Sequence, residues 1–184
     1  EAEAANRVFQ TITQNVDQLH QKAGAKQVID LHGRLDMVRC MNCKHLLSRT
    51  DMDLRLAELN PTVDRTADFE FTPDGDAEVE AAADFRIPGC PLCGGVLKPD
   101  VVFFGESVPT ATVELAMKRL DEAEALLVAG TSLSVNSGLR FARRAARSNK
   151  PIIIVNIGPT KADELATAKI EANTSLVLER LLGD

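Results

Sequence analysis

The sequence contains neither tryptophan nor tyrosine, and aromatic residues make up only 4% of its 184 residues. An open groove that stacks nucleic-acid bases on aromatic rings is therefore not expected. No apolar run approaches the roughly 20 residues that a membrane-spanning helix needs. The first five residues lack the basic start and apolar stretch of a secretory signal peptide. These absences predict a soluble intracellular protein that binds neither nucleic acid directly nor a membrane.

The charge of the chain is concentrated in one stretch. The net charge is −6, and residues 44–89 hold eleven acidic and five basic side chains, which accounts for all of it. Such acidity does not suit nonspecific DNA binding, which depends on a basic surface. Within this stretch, residues 62–84 are polar and predict a surface loop or a short helix.

The four cysteines form two Cys-x-x-Cys pairs, Cys40 with Cys43 and Cys90 with Cys93. Without a secretion signal, such pairs favour a metal over disulfides. Two tight turns that each carry two thiolates complete a tetrahedral Zn²⁺ site with no open position, which predicts one structural zinc. A redox-active or simply buried set of thiols is the alternative. The 46 residues between the pairs exceed the spacing of about 15–20 residues in zinc ribbons, which predicts an insertion.

Alternating strand-like and helical segments predict an α/β fold. Strands are predicted at residues 8–13, 28–31, 101–104, 125–129 and 151–157. Helical segments are predicted at residues 1–7, 16–23, 52–59, 112–122 and 137–149, with a final element around 170–182. Strands that are apolar throughout are typical of a parallel sheet covered on both faces. We therefore predict a Rossmann-like, doubly wound parallel sheet over residues 1–38 and 98–184, and a small zinc-binding module over 39–97.

Small polar residues follow the predicted strands at the points where they end. These are residues 13–17, Gly130-Thr-Ser132 and Asn156. Because ligands of such sheets bind beyond the carboxyl ends of the strands, a nucleotide-sized ligand is predicted there. Taken alone, Asn15 and Asp17 also suit a turn or a helix cap, and an ordinary strand-to-helix turn resembles Gly-Thr-Ser.

Arginines recur at helical spacing in the segment 137–149, at Arg140, Arg143, Arg144 and Arg147. Charge stripes on helices usually face water, so a solvated outer face is predicted. An anion-binding face is the alternative.

An ordered set of motifs resembles the sirtuins, which are NAD-dependent protein deacylases. The resemblance extends from Val8 to the end of the chain and is carried by Thr13-Gln-Asn-Val-Asp17, Leu31-His-Gly33, the two cysteine pairs, Lys98-Pro-Asp-Val-Val-Phe-Phe-Gly-Glu106, Gly130-Thr-Ser-Leu133 and Asn156-Ile-Gly-Pro-Thr160. The long insertion and the segments around Gly105 and Asn156 look most similar to the class II branch, whose mitochondrial member removes lipoyl-type and other acyl groups. Acyl-lysine proteins are thus the implied substrates.

The resemblance implies roles for individual residues. His32 would be the general base, since an imidazole whose unperturbed pKa is about 6.5 suits that task. As an isolated residue at a strand end it would instead be structural. Asn15 and Asp17 would act at the nicotinamide end together with Val16, and Gln14 would bond the ribose.

The rest of the implied site is divided between cofactor and peptide. For NAD, the resemblance implies Gly130, Thr131, Ser132, Asn156, Ile157, Gly158 and Thr174. For an added strand of substrate peptide it implies Val102, Phe103, Gly105 and Glu106, although residues 101–104 also suit a core strand. The metal ligands would be the four cysteines.

The family also has an N-terminal Gly-Ala-Gly-x-Ser loop and a following Asp-Phe-Arg segment, and neither occurs before Val8. The chain is thus expected to begin about where the second half of the nucleotide fold begins. Two other functions stay open: mono-ADP-ribosyl transfer, and a noncatalytic zinc-ribbon binding module. The resemblance implies a cytoplasmic location for a bacterial protein and a mitochondrial one for a eukaryotic protein, and the oligomeric state is not predicted.

Overall fold

The computed structural model describes residues 1–63 and 84–182, so most of the acidic segment 62–84 lies outside the described residues. The strands are β1 Thr11–Thr13, β2 Val28–Asp30, β3 Gly33–Cys40, β4 Leu46–Ser48, β5 Leu97–Val101, β6 Leu126–Ala129, β7 Ile152–Val155 and β8 Ala168–Ile170. The helices are α1 Leu19–Lys22, α2 Arg49–Leu59, α3 Thr110–Glu122, α4 Asn136–Arg147 and α5 Thr174–Leu182.

The chain forms two compact units. The first, here called the α/β unit, consists of Glu1–Gly33 and Val101–Asp184, and the second, the cysteine unit, of Arg34–Asp100. The domain boundaries predicted from the sequence, at 38/39 and 97/98, stay a prediction.

Parallel strand pairing builds the α/β unit. β1 pairs with β2 in parallel, with Ile12 opposite Ile29. β7 lies between β6 and β8, and both pairings are parallel, with Val128 opposite Ile154 in the first. Parallel strands joined through helices confirm the predicted α/β class.

The core of the α/β unit is formed by β-branched strand residues and one face of α4. Ile152, Ile154 and Val155 of β7 are at most 1% exposed. On α4, Leu139, Phe141, Ala142 and Ala145 recur at helical spacing and are buried in the cluster that also contains Ile152 and Ile154. Burial of these apolar faces fixes the start of α4 and the carboxyl end of β7, which the predicted site residue Asn156 follows directly.

The part of the cysteine unit that the structure describes has a much smaller apolar core. Its sheet has the order β4-β3-β5, and β3 and β4 are antiparallel. Val38, Leu47 and Met52 form the buried cluster, with Leu56 and Leu97 packed against it. α2 starts where the Ser48 side chain accepts a hydrogen bond from the Asp51 backbone N–H at 3.0 Å, a serine N-cap.

Three local predictions were wrong. β5 ends at Val101, and Phe103 and Phe104, predicted as strand, lie in an exposed loop, with Phe104 101% exposed. Residues 1–7 form hydrogen-bonded turns rather than the tail of a helix, and Asn6 has a left-handed φ of 56°. β6 was predicted to be covered on both faces, but Leu127 is 37% exposed, so one face of β6 is incompletely covered by the described residues. Apolar composition alone does not separate these cases.

No helix within residues 1–63 and 84–182 is long and apolar enough to span a membrane.

Candidate active site and metal centre

His32 lies just beyond β2, at the carboxyl end of the two-stranded sheet. The pairing of β1 with β2 continues through Leu31, whose backbone N–H donates to the Thr13 carbonyl at 2.9 Å. The His32 ring is held at both nitrogens: Nδ1 lies 3.1 Å from the Gln14 carbonyl oxygen and Nε2 lies 2.9 Å from Ser137 Oγ. The imidazole is therefore fixed in orientation by two different segments of the chain.

Gln14 connects this end of β1 with the end of β6 and the start of α4. Its Oε1 accepts a hydrogen bond from Thr131 Oγ1 at 3.3 Å. A Cβ atom at Gly138 would lie only 2.8 Å from the same Oε1, so a glycine is required there for Gln14 to fit. The structure thus brings Gln14, Thr131 and His32 together, as the resemblance implies.

The three residues that follow Gln14 differ in their exposure to solvent. Asn15 is exposed, and its backbone N–H donates to Thr13 Oγ1 at 3.1 Å. Val16 and Asp17 are half-buried. Asp17 Oδ1 accepts a hydrogen bond from the Leu19 backbone N–H at 3.0 Å, at the start of α1. The N-cap of α1 is Gln18, so Asp17 forms a side-chain turn rather than a helix cap. Only one of its two carboxylate oxygens takes part in this hydrogen bond.

The residues implied for the rest of the nucleotide lie at the carboxyl ends of β6 and β7. Gly130 has a left-handed φ of 64°, and its N–H donates to the Val155 carbonyl at 3.0 Å. A Cβ at Gly130 would lie 3.5 Å from Thr174 Oγ1, so these two residues are neighbours. Asn156 is buried, and its Nδ2 donates to the Ile157 carbonyl at 3.0 Å.

An ion pair supports the loop that follows Asn156. Lys169 Nζ donates to the Gly158 carbonyl at 3.0 Å and to Asp163 Oδ2 at 2.8 Å. Hydrogen bonds from Lys169 and from Thr160 lower the pKa of the Asp163 carboxyl to about 2. Asp163 is thus ionised across the physiological range and keeps Lys169 against the backbone of Gly158.

A cavity of about 760 Å³ opens beside His32. Its wall is formed by residues 102–108 and by the start of α4, including Ser137 and Arg140. The Val102 N–H donates to the His32 carbonyl at 2.8 Å, which fixes this segment next to the histidine. The residues implied for peptide binding, Val102, Phe103, Gly105 and Glu106, all line this cavity.

Of the four arginines at helical spacing on α4, three face solvent and one lines the cavity. Arg143, Arg144 and Arg147 are exposed, as predicted, and Arg144 pairs with Asp121 at 2.9 Å. Arg140 is only half exposed and lines the cavity, so the predicted solvated face does not extend to it. The physical reason is its position one turn after Ser137, on the side of α4 that faces the cavity.

The four cysteine sulfurs form a cluster in which all four lie within 4.8 Å of one another. Cys40 Sγ lies 3.5 Å from Cys93 Sγ, and Cys43 Sγ lies 3.7 Å from Cys90 Sγ. A tetrahedral zinc with bonds of about 2.3 Å to sulfur places its ligands about 3.8 Å apart, which these distances fit. The structure therefore brings together the four predicted ligands, and the zinc-binding prediction is confirmed at the level of geometry.

The two cysteine turns repeat the same backbone hydrogen bonds. In each turn the first cysteine N–H donates at 2.8 Å to the carbonyl five residues on, at His45 and at Gly95. In each turn the carbonyl of the first cysteine accepts from the residue four positions on, Lys44 at 3.1 Å and Gly94 at 2.8 Å. Both of these residues are left-handed, with φ of 63° and 69°. The turns thus present their sulfurs in equivalent ways.

The acid–base properties of the thiols also suit a cation. Burial raises the pKa of the Cys40 thiol, but the backbone N–H groups of Cys43 and Asn42 outweigh it and lower the pKa to about 6. For Cys43 the His45 backbone N–H acts to lower the pKa, but contact with Cys93 and burial raise it to about 12. Four anionic sulfurs at this distance repel one another, and a divalent cation removes that repulsion.

Comparison with known proteins shows the family. A model of the Sir2 family matches residues 1–137. The NAD-dependent protein deacetylase of Xanthomonas axonopodis pv. citri (strain 306) is 50% identical over 178 residues, which covers 96% of this chain and 60% of that protein. NAD-dependent protein deacetylase 2 of Bradyrhizobium diazoefficiens is 48% identical over 182 residues, covering 98% of this chain and 66% of that one. The chain belongs to the Sir2 family, the sirtuins.

Solved structures agree with this assignment. A structure of Sir2 with a p53 peptide and NAD+ has a TM-score of 0.72 at 28% identity, covering 97% of this chain and 64% of that chain. Sir2Tm bound to a propionylated peptide gives 0.72 at 27% identity, covering 99% and 68%. The predicted Rossmann-like α/β fold with a four-cysteine module is confirmed. The chain spans about 60% of the length of the Xanthomonas relatives that it matches.

Sequence reasoning did not find Ser137 and Gly138 as parts of the site. Both lie at the start of α4, where Ser137 contacts His32 and Gly138 makes room for Gln14. Nothing in the local pattern links them to residues more than 100 positions earlier in the chain. Only the pairing of β1 with β2 and the packing of α4 bring these segments together.

Proposed function

We propose that the chain acts as an NAD-dependent protein-lysine deacylase, of the deacetylase or lipoamidase type, which passes the acyl group to ADP-ribose and releases nicotinamide. The observation that carries the proposal is the placement of His32, hydrogen-bonded through Nδ1 and exposed to a cavity formed by residues 102–108. Membership of the Sir2 family and the names of the bacterial relatives support it.

The protonation of His32 follows from its partners. A carbonyl oxygen has no proton to give, so the neutral ring carries its proton on Nδ1 and donates it to the Gln14 carbonyl at 3.1 Å. Nε2 then keeps the lone pair and is the basic atom. We assign to it the removal of a proton from a ribose hydroxyl, which in the complex would take the place of the Ser137 hydroxyl against Nε2. Such a general-base step typically contributes about 10²–10⁴-fold.

NAD, when bound, supplies a ribose carbon that becomes electrophilic as nicotinamide leaves. Gln14 is assigned to the ribose, and Asn15, Val16 and Asp17 to the nicotinamide end. The second oxygen of the half-buried Asp17 carboxylate would stabilise the positive charge that develops there when NAD is bound.

The rest of NAD is assigned to the ends of β6 and β7. Gly130-Thr-Ser132 is assigned to phosphate or ribose oxygens, and Asn156-Ile-Gly158 and Thr174 to the adenosine end. The glycines support this assignment. At Gly158 an added Cβ would meet nothing within 4 Å, and at Gly130 its nearest neighbour is Thr174 Oγ1 at 3.5 Å. The backbone at both positions is therefore open to the close approach of a ligand.

The substrate peptide is assigned to residues 102–106, as an added strand. The segment is held in shape by its own bonds, because the Phe103 N–H donates to Glu106 Oε2 at 3.0 Å and the Glu106 N–H donates to the Phe103 carbonyl at 3.0 Å. Backbone pairing would give affinity with little demand on peptide sequence. Zinc bound by the four cysteines would hold the cysteine unit together and take no part in the chemistry, since four thiolates fill its coordination sphere.

The test is nicotinamide release from NAD in the presence of an acetyl-lysine peptide. We expect release by the 184-residue chain and a loss of at least about 100-fold in His32→Ala, the size of a missing general base. His20→Ala is the matched control, because His20 is exposed on α1, and it should keep full activity.

Two results would overturn the proposal, and each would favour a different function. Accumulation of ADP-ribose on protein, with the acetyl group left on lysine, would indicate mono-ADP-ribosyl transfer. No NAD consumption by the unaltered chain would favour a noncatalytic zinc-binding module.

A further inference from the structure

Ser137 lies in the first turn of α4 and is only 8% exposed. Serine at a helix start usually caps the backbone. Here the N-cap is Val135, which provides no side-chain hydrogen bond, and the Ser137 hydroxyl is directed to His32 Nε2 at 2.9 Å instead. Ser137 is the second residue of α4 and not its N-cap, so its hydroxyl is available for the contact with the histidine.

The direction of this hydrogen bond is determined by the other side of the ring. Because Nδ1 donates to the Gln14 carbonyl, Nε2 of the neutral ring has a lone pair and no proton. The Ser137 hydroxyl must then be the donor and Nε2 the acceptor. The oxygen of Ser137 keeps its lone pairs, and the residue lines the same cavity as His32.

We propose that Ser137 is a positioning residue that holds His32 in the Nδ1-protonated form, with Nε2 as the single basic atom facing the cavity. A half-turn of the ring about the Cβ–Cγ bond would replace both nitrogens by C–H groups and break both hydrogen bonds. Each bond favours the observed orientation by a factor of roughly 2 to 10. The kinetic consequence rests on the proposed function, whereas the state of the ring does not.

The direct test is ¹⁵N NMR of the 184-residue chain labelled at histidine, at a pH where the imidazole is neutral. The chain has only three histidines, so His32→Gln assigns the His32 signals. We expect a protonated Nδ1 and an Nε2 signal displaced by hydrogen bonding. In Ser137→Ala the Nε2 signal should move to the position of a free acceptor while His20 and His45 stay unchanged. A protonated Nε2 in the unaltered chain, or unchanged His32 signals in Ser137→Ala, would overturn the proposal.

Two variants of nearly equal shape distinguish the effect of the Ser137 hydroxyl from the effect of side-chain packing. Ser137→Thr keeps the donor and Ser137→Val replaces it with a methyl group, so any strain from the added atoms is common to both. We expect kcat of the valine variant to be about 3- to 10-fold below that of the threonine variant, at similar KM for NAD and peptide. Ser148→Ala, at the exposed far end of α4, is the control. Equal kcat in the two variants would contradict the proposal even if the chain is an active deacylase.

If the chain shows no turnover at all, the proposed function fails, and the NMR experiment still decides the role of Ser137.

Discussion

Among the residues that the structure describes, the α/β unit buries many more apolar side chains than the cysteine unit does. The core cluster of the α/β unit contains thirteen buried hydrophobic residues, from β2, β6, β7, α3, α4 and the loops between them. The cluster in the described part of the cysteine unit, residues 34–63 and 84–100, contains three, Val38, Leu47 and Met52. The cysteine unit instead has four thiols within 4.8 Å of one another. Small modules with little core usually need a metal or disulfides to fold, whereas larger ones rely on burial.

The candidate catalytic residues and the candidate metal ligands therefore lie in units that are stabilised in different ways. The candidate catalytic and NAD-binding residues belong to the α/β unit, whose frame is the packed face of α4 and the buried strand β7. The four cysteines positioned to bind zinc belong to the cysteine unit, and four thiolates would leave no open coordination position for chemistry. Loss of a cysteine ligand should therefore affect mainly the cysteine unit, and loss of a buried apolar side chain mainly the α/β unit.

The largest effect is expected from loss of a metal ligand. Cys90→Ser should reduce zinc from about one per chain to a small fraction, because structural zinc sites contribute about 10–16 kcal/mol in zinc-finger peptides. Amides of β3 and β4 should then lose protection from hydrogen exchange while those of β7 stay protected. Elemental analysis and exchange mass spectrometry measure the two parts.

His45→Ala is the control for this variant, since His45 is near the ligands but is not among them. It should retain its zinc. Full zinc in Cys90→Ser would contradict a four-thiolate site, and equal loss of protection in β7 would contradict two separately stabilised units.

A cavity in the α/β core should have the converse effect. Ile154 is 0% exposed at the centre of β7, so Ile154→Ala should lower the free energy of unfolding by about 2–5 kcal/mol and leave the zinc content unchanged. Ile157→Ala removes the same atoms from a side chain that is 70% exposed, and it should cost less than about 0.5 kcal/mol. Urea denaturation measures both. Similar costs in the two variants would show that burial in β7 does not hold this unit.

The smallest effect concerns the matching turns of the metal site. Lys44 and Gly94 occupy equivalent left-handed positions, and glycine is the residue that suits them. Lys44→Gly should raise the free energy of unfolding of the zinc-bound chain by about 1 kcal/mol, and Gly94→Ala should lower it by a similar amount. At Gly94 a Cβ meets no atom within 4 Å, so backbone strain is the only cost. The same sign for both changes would contradict the equivalence of the turns.

The sequence predicted correctly those features that depend on residues close together in the chain. The cysteine pairs can be recognised in the sequence because two thiolates that bind one metal from a single turn need a fixed short spacing. β7 is visible because Ile152–Val155 is a run of β-branched residues bounded by Pro151 and Asn156. The residues at the strand ends were located because a parallel sheet places them at one edge.

What sequence could not predict depends on tertiary contacts. Residues 102–104 are as apolar as a core strand, yet Phe104 is fully exposed, because the hydrogen bonds within the segment close it into a loop beside the cavity. Leu127 is in an apolar strand but partly exposed, because coverage depends on neighbours that composition does not specify. The contact of Ser137 with His32 joins residues 105 positions apart and has no sequence signal.

Acyl transfer by the residues around His32 is tested most directly by the products of one reaction. Incubation of the 184-residue chain with NAD and an acetyl-lysine peptide, followed by mass spectrometry, should show one acetylated ADP-ribose for each lysine freed, and almost none with His32→Ala. Lysine freed without consumption of NAD, or equal product from His32→Ala, would contradict it.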